Sequence, residues 1–256
     1  MHLKVLQLNV FRGRYLDDAI RFINHESPDI ITFEEVTTFK LNTYKIQELD
    51  LFEELKSRIH MNGVYDCVMK FNQFPDSCFG NAVFSKFKIK SSKVVILRGD
   101  KTFDFSFEEN GDSLEDRPYV NRHLLDATLD IEGKSVHAIA GHGAWTAPPT
   151  DTDETLRQAD LIVKHLESLG DEPFILGGDL NMPPGSEVIN RISKVANNLM
   201  LDKDIPQTLN PKTHFLKDKG FLIDFIFISR HFKPKSLLVP MVDVSDHLPV
   251  VAELEF

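Results

Sequence analysis

The chain has 256 residues, 42% of them hydrophobic, and a formal net charge of −10. That length can bury a large core as one domain spanning residues 1–256. The charge excludes a protein that grips nucleic acid through a broad basic surface, but not a nuclease that takes positive charge from a bound divalent cation. Cys67 and Cys78 are the only cysteines, too few for a disulfide scaffold. No apolar run is long enough to span a bilayer, and the N-terminus enters a strand pattern without a signal-peptide layout. A soluble, cytoplasmic, reduced protein is the expectation.

Leu3 to Val10 is apolar on both faces, as in a central strand covered on both sides. Asp17 and Asp18 open a helical pattern through Ala19, Ile20 and Ile23, and Ser27-Pro28 stops it. Asp29–Phe33 reads as a strand running into Glu34-Glu35-Val36, and residues 46–60 as an amphipathic helix with Phe52, Leu55 and Ile59 inward. Short strands are predicted at Tyr65–Met69, Ala82–Phe84 and Val94–Leu97. Residues 98–118 are rich in acids, yet Phe103, Phe105 and Phe107 alternate within them, which favours a hairpin arm over a linker. A hairpin runs Arg122–Asp130, turns at Glu132-Gly133 and returns through Ser135–Ala140. The loop Gly141-His142-Gly143-Ala144-Trp145 follows, then a helix over Asp153–Leu169 with Leu156, Ala159, Val163 and Leu166 on one face.

Phe174 to Leu180 reads as a buried strand around a Gly177-Gly178 hinge, breaking into a loop at Pro183-Pro184-Gly185. Ser186 caps a helix reaching Ile192, and strands are predicted at Phe221–Ile228, Ser236–Val239 and Val250–Leu254. Side chains two apart on an extended segment share a face, so Asp179 and Asn181 would serve one site together. A surface Asx turn is the bland reading of that pair.

Other polar residues recur at the ends of predicted core strands: Asn9, Glu35, His142, Asp224 and Ser245-Asp246-His247. Singly, each has a dull explanation as a turn residue, a loop residue or a buried hydrogen-bond acceptor. Together, oxygen donors, amides and two histidines suit a hard-cation site facing a phosphate. Mg²⁺ or Mn²⁺ fits such donors. Zinc does not, since neither cysteine falls in a ligand motif and there is no His-x₃-His pair.

Leu8-Asn9-Val10, Phe33-Glu34-Glu35-Val36, Gly80–Ser85, Gly177-Gly178-Asp179-Leu180-Asn181, Ile223–Phe227 and Ser245–Val250 resemble, in order, the motifs of the endonuclease/exonuclease/phosphatase superfamily. The resemblance implies an α/β four-layer sandwich, two packed mixed β-sheets flanked by helices. It implies that Glu35 is the main metal ligand with Asn9 and Asp246 nearby, and that Asp179 and Asn181 position the attacking water. His247, oriented by Asp224, and His142, with Arg122 near it, would face the scissile phosphate. Two departures stand out. Glu34 takes a place where the family commonly has Gln, which is expected to add charge at the metal, and the glycine-flanked His142 loop puts Trp145 beside the site.

The leading functional reading is a monomeric, metal-dependent phosphodiesterase acting on a phosphoester of nucleic acid. A phosphatase or phosphodiesterase acting on a lipid, sugar or inositol phosphate shares the same residues. A catalytically dead binding module is the third reading, opposed by the completeness of the polar set. Phe103, Phe105, Phe107 and Trp145 could stack on bases, meet a lipid tail or simply pack, and packing is the reading favoured.

Overall fold

Alternation along the first strand sets the layering of the molecule. Leu3, Val5, Gln7 and Asn9 fall on one face of that strand, and Leu6, Leu8 and Val10 on the other. A computed structural model describes residues 1–38, 49–72, 74–99, 102–103 and 120–256. The elements are β1 (His2–Asn9), α1 (Leu16–Glu26), β2 (Ile30–Thr38), α2 (Leu51–Ile59), β3 (Asn62–Phe71), β4 (Phe74–Ser85), β5 (Lys88–Arg98) and β6 (Thr102–Phe103). They continue with β7 (Arg122–Ile131), β8 (Lys134–His142), α3 (Asp153–Ser168), β9 (Phe174–Asp179) and α4 (Glu187–Ser193). The last are β10 (Asn197–Asn198), β11 (Asp224–Ile228), β12 (Lys233–Leu238) and β13 (Val250–Glu255).

The strands form two mixed sheets, ordered β12-β13-β1-β2-β4-β3-β6 and β10-β11-β9-β8-β7-β5. In the first, β1 pairs parallel with β2 and antiparallel with β13. In the second, β9 pairs parallel with β8 and antiparallel with β11. Leu6, Leu8, Ile31, Phe33 and Phe84 cover the outer face of the first sheet and meet Ala19, Ile20, Ile23, Leu51 and Leu55 of α1 and α2. Leu3, Val5, Ile30 and Val83 join the larger core with the second sheet and α3 and α4. Helices, sheet, sheet and helices give the four-layer α/β sandwich.

Several elements are longer or shorter than the sequence patterns predict. β3 and β4 extend well past Tyr65–Met69 and Ala82–Phe84, because ladder pairing carries residues that lack strand periodicity. The predicted strand at Phe221 starts only at Asp224, since Phe221 spends its carbonyl on Thr208 and Leu209 of a neighbouring loop. α2 begins at Leu51, where the Asp50 side chain accepts from Glu53 N at 3.0 Å. Residues 46–48 of the helix predicted over 46–60 lie outside the described residues. So does nearly all of the 98–118 arm, including Phe105 and Phe107. The buried stripe of α3 runs through Ala159, Ile162 and Leu166 and includes Gln158 and His165, while Leu156 and Val163 sit only partly buried.

The Gly177-Gly178 pair is not a hinge but lies within β9. A Cβ on Gly177 would collide with Thr32 of β2, so its absence lets the two sheets approach beside Gln7. The reduced state expected of the cysteines is also corrected. Cys67 and Cys78 are joined as a disulfide between β3 and β4, with Cα atoms 5.5 Å apart. A low cysteine count excludes a disulfide framework but not one local bridge, and the irregular register after Cys67 brings the two side chains together.

Candidate active site

One end of the sandwich gathers the polar residues of both sheets. The C-terminal ends of β1, β2, β8 and β9 point there, as does the N-terminal end of the antiparallel β11. The segment Ser245–His247, just before β13, closes the ring, with Ser245 Oγ donating to Asn9 O at 2.6 Å.

Asp179 is the meeting point. Its Oδ1 accepts from Asn181 N at 3.0 Å and its Oδ2 from Asn9 Nδ2 at 3.2 Å. The same Oδ2 lies 3.5 Å from His142 Nε2 and 3.8 Å from His247 Nε2. Those two separations are too long for good direct hydrogen bonds. Asn181, at φ +55°, turns its amide to donate to Gly143 O at 3.2 Å. A Cβ on Gly143 would collide with the Leu180 backbone, so glycine at that place is required by the close approach.

Behind His247 stands a fully buried relay. His247 Nδ1 pairs with Asp224 Oδ2 at 2.9 Å, and Thr208 Oγ1 donates to that oxygen at 2.6 Å. Gln7 Nε2 donates both to Asp224 Oδ1 at 2.9 Å and to Glu34 Oε2 at 2.8 Å. Glu34 is fully buried, and its surroundings include Asp224 and Asp179. The carboxyl expected to add charge at the metal therefore lies behind His247 instead, because successive side chains of β2 diverge. Burial, reinforced by those two acids, raises the Glu34 carboxyl well above the usual range.

A second group lies on the other side of Asn9. Glu35 sits at φ +57° where the pairing of β2 with β4 slips between Phe33 and Val36, a bulge that swings its carboxylate inward. Its Oε2 is buried and accepts no hydrogen bond, with Arg12 Nε 3.5 Å away. Asp246 is pushed up to about 6 by burial and by the Glu35 charge, against the pull of His247. Two neighbouring carboxylates, one with a buried oxygen that accepts no hydrogen bond, suit a hard divalent cation, although Arg12 also faces Glu35.

Asp179, Asp224 and His247 also cluster closely enough to hold an ion. Asp224, however, is already engaged: Gln7, Thr208 and His247 Nδ1 share its two oxygens. The residues at Glu35 and Asp246 fit a cation better.

Charge is divided unevenly between the two histidines. Burial, with Arg122 and His247 adding to it, holds His142 well below its ordinary range, so it is neutral, and its buried Nδ1 has no hydrogen-bond partner. Burial opposes charge on His247 as well, but Asp224 and Asp179 outweigh it and raise that imidazole well above its usual value. Asp179 is raised to about 7 by burial, with His247 opposing and Asp224 adding to the rise. Arg122 is buried near His142, whereas Trp145 is half-buried in the loop beyond Gly143. Sequence reasoning missed Gln7, Thr208 and Arg12. Gln7 carried a readable signal, an amide interrupting an apolar strand two residues before Asn9.

This fold and ring of carboxylates, amides and imidazoles define a phosphoester hydrolase of the two-sheet sandwich class. The chain belongs to the Endonuclease/Exonuclease/phosphatase family, whose pattern it matches over residues 6–247. That family comprises divalent-metal-dependent phosphoesterases. Among solved structures, the chain is similar to an endonuclease/exonuclease/phosphatase from Bacteroides vulgatus, at 18% identity and a TM-score of 0.73, covering 100% of this chain and 99% of that one. It is similar to a mannosyl-6-phosphatase of Bacteroides thetaiotaomicron, at 17% identity and a TM-score of 0.72, covering 99% and 100%. It is also similar to D. rerio TDP2 complexed with single strand DNA product, at 15% identity and a TM-score of 0.71, covering 100% and 99%. At these identities the likeness is one of fold. No curated protein sequence matches the chain.

Proposed function

We propose that this chain is a divalent-metal-dependent phosphodiesterase that hydrolyses a nucleic-acid phosphoester by in-line attack of water. The observation that carries the reading is the convergence of Asn9, His142 and His247 on a single oxygen of Asp179. Glu35 and Asp246, with Asn9, would hold Mg²⁺ or Mn²⁺. A cation bound there supplies positive charge against the phosphate oxygens.

Asp179, with a pKa of about 7, is set to take a proton from water near neutral pH, and Asn181 orients that water. His247 is held as an imidazolium by Asp224 and sets its charge against the charge developing on the phosphoryl group. His142, neutral, donates from Nε2 to a phosphoryl oxygen, leaving Nδ1 as an acceptor. Arg122 adds positive charge beside it, and Trp145 borders the substrate. Residues 1–256 are read as one catalytic domain acting as a monomer. A hydrophobic core that includes both Leu3 and Leu254 supports the single domain.

The nuclease reading draws support from a structural neighbour solved with single strand DNA product. A neighbour described as a mannosyl-6-phosphatase makes sugar phosphates the second reading. The test is a hydrolysis panel in Mg²⁺ and Mn²⁺: single- and double-stranded DNA, abasic DNA, RNA, 5′-tyrosyl DNA, sphingomyelin, inositol phosphates and mannose 6-phosphate. Cleavage of a nucleic acid, lost in chelator and in Glu35→Gln, is the expected result. Full activity in excess chelator overturns the metal-dependent reading.

A further inference from the structure

The loop between Thr208 and β11 is bolted to the catalytic turn. Leu209 bridges His247 in antiparallel fashion, and Asn210 N donates to Asp246 O at 2.7 Å. Asn210 Nδ2 donates to Ser245 O at 3.2 Å, and Thr213 Oγ1 donates to the same carbonyl at 2.7 Å. The loop is also braced within itself, since Lys217 Nζ donates to Lys212 O at 3.0 Å and Gly220 N to Gln207 Oε1 at 3.1 Å. Whatever this loop presents is therefore presented in fixed register with Asp246 and His247.

It presents an aromatic ring in water. Phe215 is 70% exposed, although it belongs to a well-tied segment. One side of its ring is tilted onto His214, with centroids 4.4 Å apart, and His214 meets His247 edge-on at 6.3 Å. His214 Nδ1 accepts from Leu216 N at 3.2 Å, which puts the proton of its neutral ring on Nε2 and fixes its plane. Two ring contacts thus separate Phe215 from the catalytic imidazole. Around it the segment 210–220 carries Lys212, Lys217 and Lys219 against Asp218, within a chain of net charge −10, and Lys212 is also paired with Asp243 at 3.2 Å.

A rigid exposed aromatic among cations, beside a phosphate-handling imidazole, is the arrangement that binds unpaired bases. The ring stacks on the base, whatever its identity, and the cations meet the neighbouring phosphates. Resting on the phosphodiesterase reading above, we propose that the segment Asn210–Gly220 binds the single-stranded nucleotide flanking the scissile phosphate. Phe215 is the platform for its base, and the site takes frayed or single-stranded ends rather than intact duplex.

The test uses the full chain in Mg²⁺ with a single-stranded trinucleotide and versions in which each base in turn is replaced by a tetrahydrofuran abasic unit. Phe215→Ala is expected to raise KM roughly tenfold on the full trinucleotide, the scale of one base stack. Wild type is expected to lose about as much on one abasic version, on which Phe215→Ala loses nothing more, and Phe215→Trp restores the full-trinucleotide value. An unchanged melting midpoint shows that the variant is folded. If wild type cleaves the trinucleotide but Phe215→Ala shows the same base dependence, the platform is wrong and the phosphodiesterase reading stands. If wild type cleaves none of these yet hydrolyses a sugar or lipid phosphate, the nucleic-acid reading fails and takes the platform with it. Loss of lipid-vesicle binding in Phe215→Ala, with base dependence unaltered, overturns the proposal in favour of membrane contact.

Discussion

Two buried carboxylate–histidine clusters lie on opposite faces of the second sheet, and their atoms are spaced alike. Between the sheets, Asp224 holds His247 at 2.9 Å. On the outer face, Asp126 of β7 holds His137 of β8 at 2.8 Å and His165 of α3 at 2.9 Å. The difference is what is left over. In the outer cluster the second nitrogen of His137 is taken by Glu172 at 2.5 Å, so both of its ring nitrogens are matched by carboxylates. In the inner one His247 Nε2 stops 3.8 Å short of Asp179, His142 Nδ1 has no partner, and Glu35 Oε2 accepts nothing. Saturated groups pin α3 to its sheet, whereas the inner group keeps hydrogen-bonding capacity unused, as the proposed site requires.

The largest effect that sharpens this contrast is kinetic. His247→Ala and Asp224→Asn should each lower kcat by at least about 100-fold, the scale of losing one positioned catalytic group. The double variant should be little worse than the worse single, since the two act as a unit. Independent, multiplying losses would break the pairing.

In the outer cluster the same chemistry should show in stability alone. Asp126→Asn is expected to cost about 3 kcal/mol or more in urea unfolding, because it strips a buried pair of its carboxylate. Its kcat should stay within about twofold of wild type. A large loss of kcat there would erase the distinction between the two clusters.

Much of this was legible in the sequence, and the misses share one cause. Asn9, Asp179, Asp224 and His247 stand out because each interrupts or ends an apolar run, a local signal. The parting of Glu34 from Glu35 depends on a bulge against β4, a pairing nearly fifty residues away that no local pattern encodes. The α3 face was drawn through Leu156 and Val163 because apolar periodicity cannot see Asp126, the partner that draws His165 inward. Gln158 is buried for the like reason that its Oε1 accepts from Ala144 N at 3.1 Å.

A smaller effect separates the clusters by their response to metal. At fixed ionic strength, Mg²⁺ should raise the melting midpoint of wild type and of Asp126→Asn alike. The shift would correspond to about 2.7 kcal/mol at a hundredfold excess over Kd. Glu35→Gln should abolish most of it. An equal rise in all three proteins would mean that the cation binds elsewhere.

The smallest effect is pH dependence of stability from the outer cluster. Burial works against charge on His137, but Asp126 and Glu172 prevail and raise its folded pKa. Its contribution is therefore complete below an unfolded value of about 6.5 and is lost as pH rises through the raised folded one. Burial likewise works against ionised Asp126, but His137 and His165 lower its pKa. Its contribution is complete above about 3.9 and is lost as pH falls through the lowered value. Urea midpoints should therefore hold up between about pH 4 and 6.5 and decline above, and His137→Gln should flatten that decline. A decline of equal size in the variant would assign it to other groups.

The most direct measurement is a Mg²⁺ titration of phosphodiester hydrolysis by wild type and His247→Ala. With Glu35 and Asp246 holding the cation and His247 serving the phosphate, kcat should fall at least about 100-fold at saturating Mg²⁺. The Mg²⁺ concentration for half-maximal activity should not move. Recovery of wild-type kcat at high Mg²⁺, with half-activation displaced upward, would make His247 a metal ligand and contradict the account.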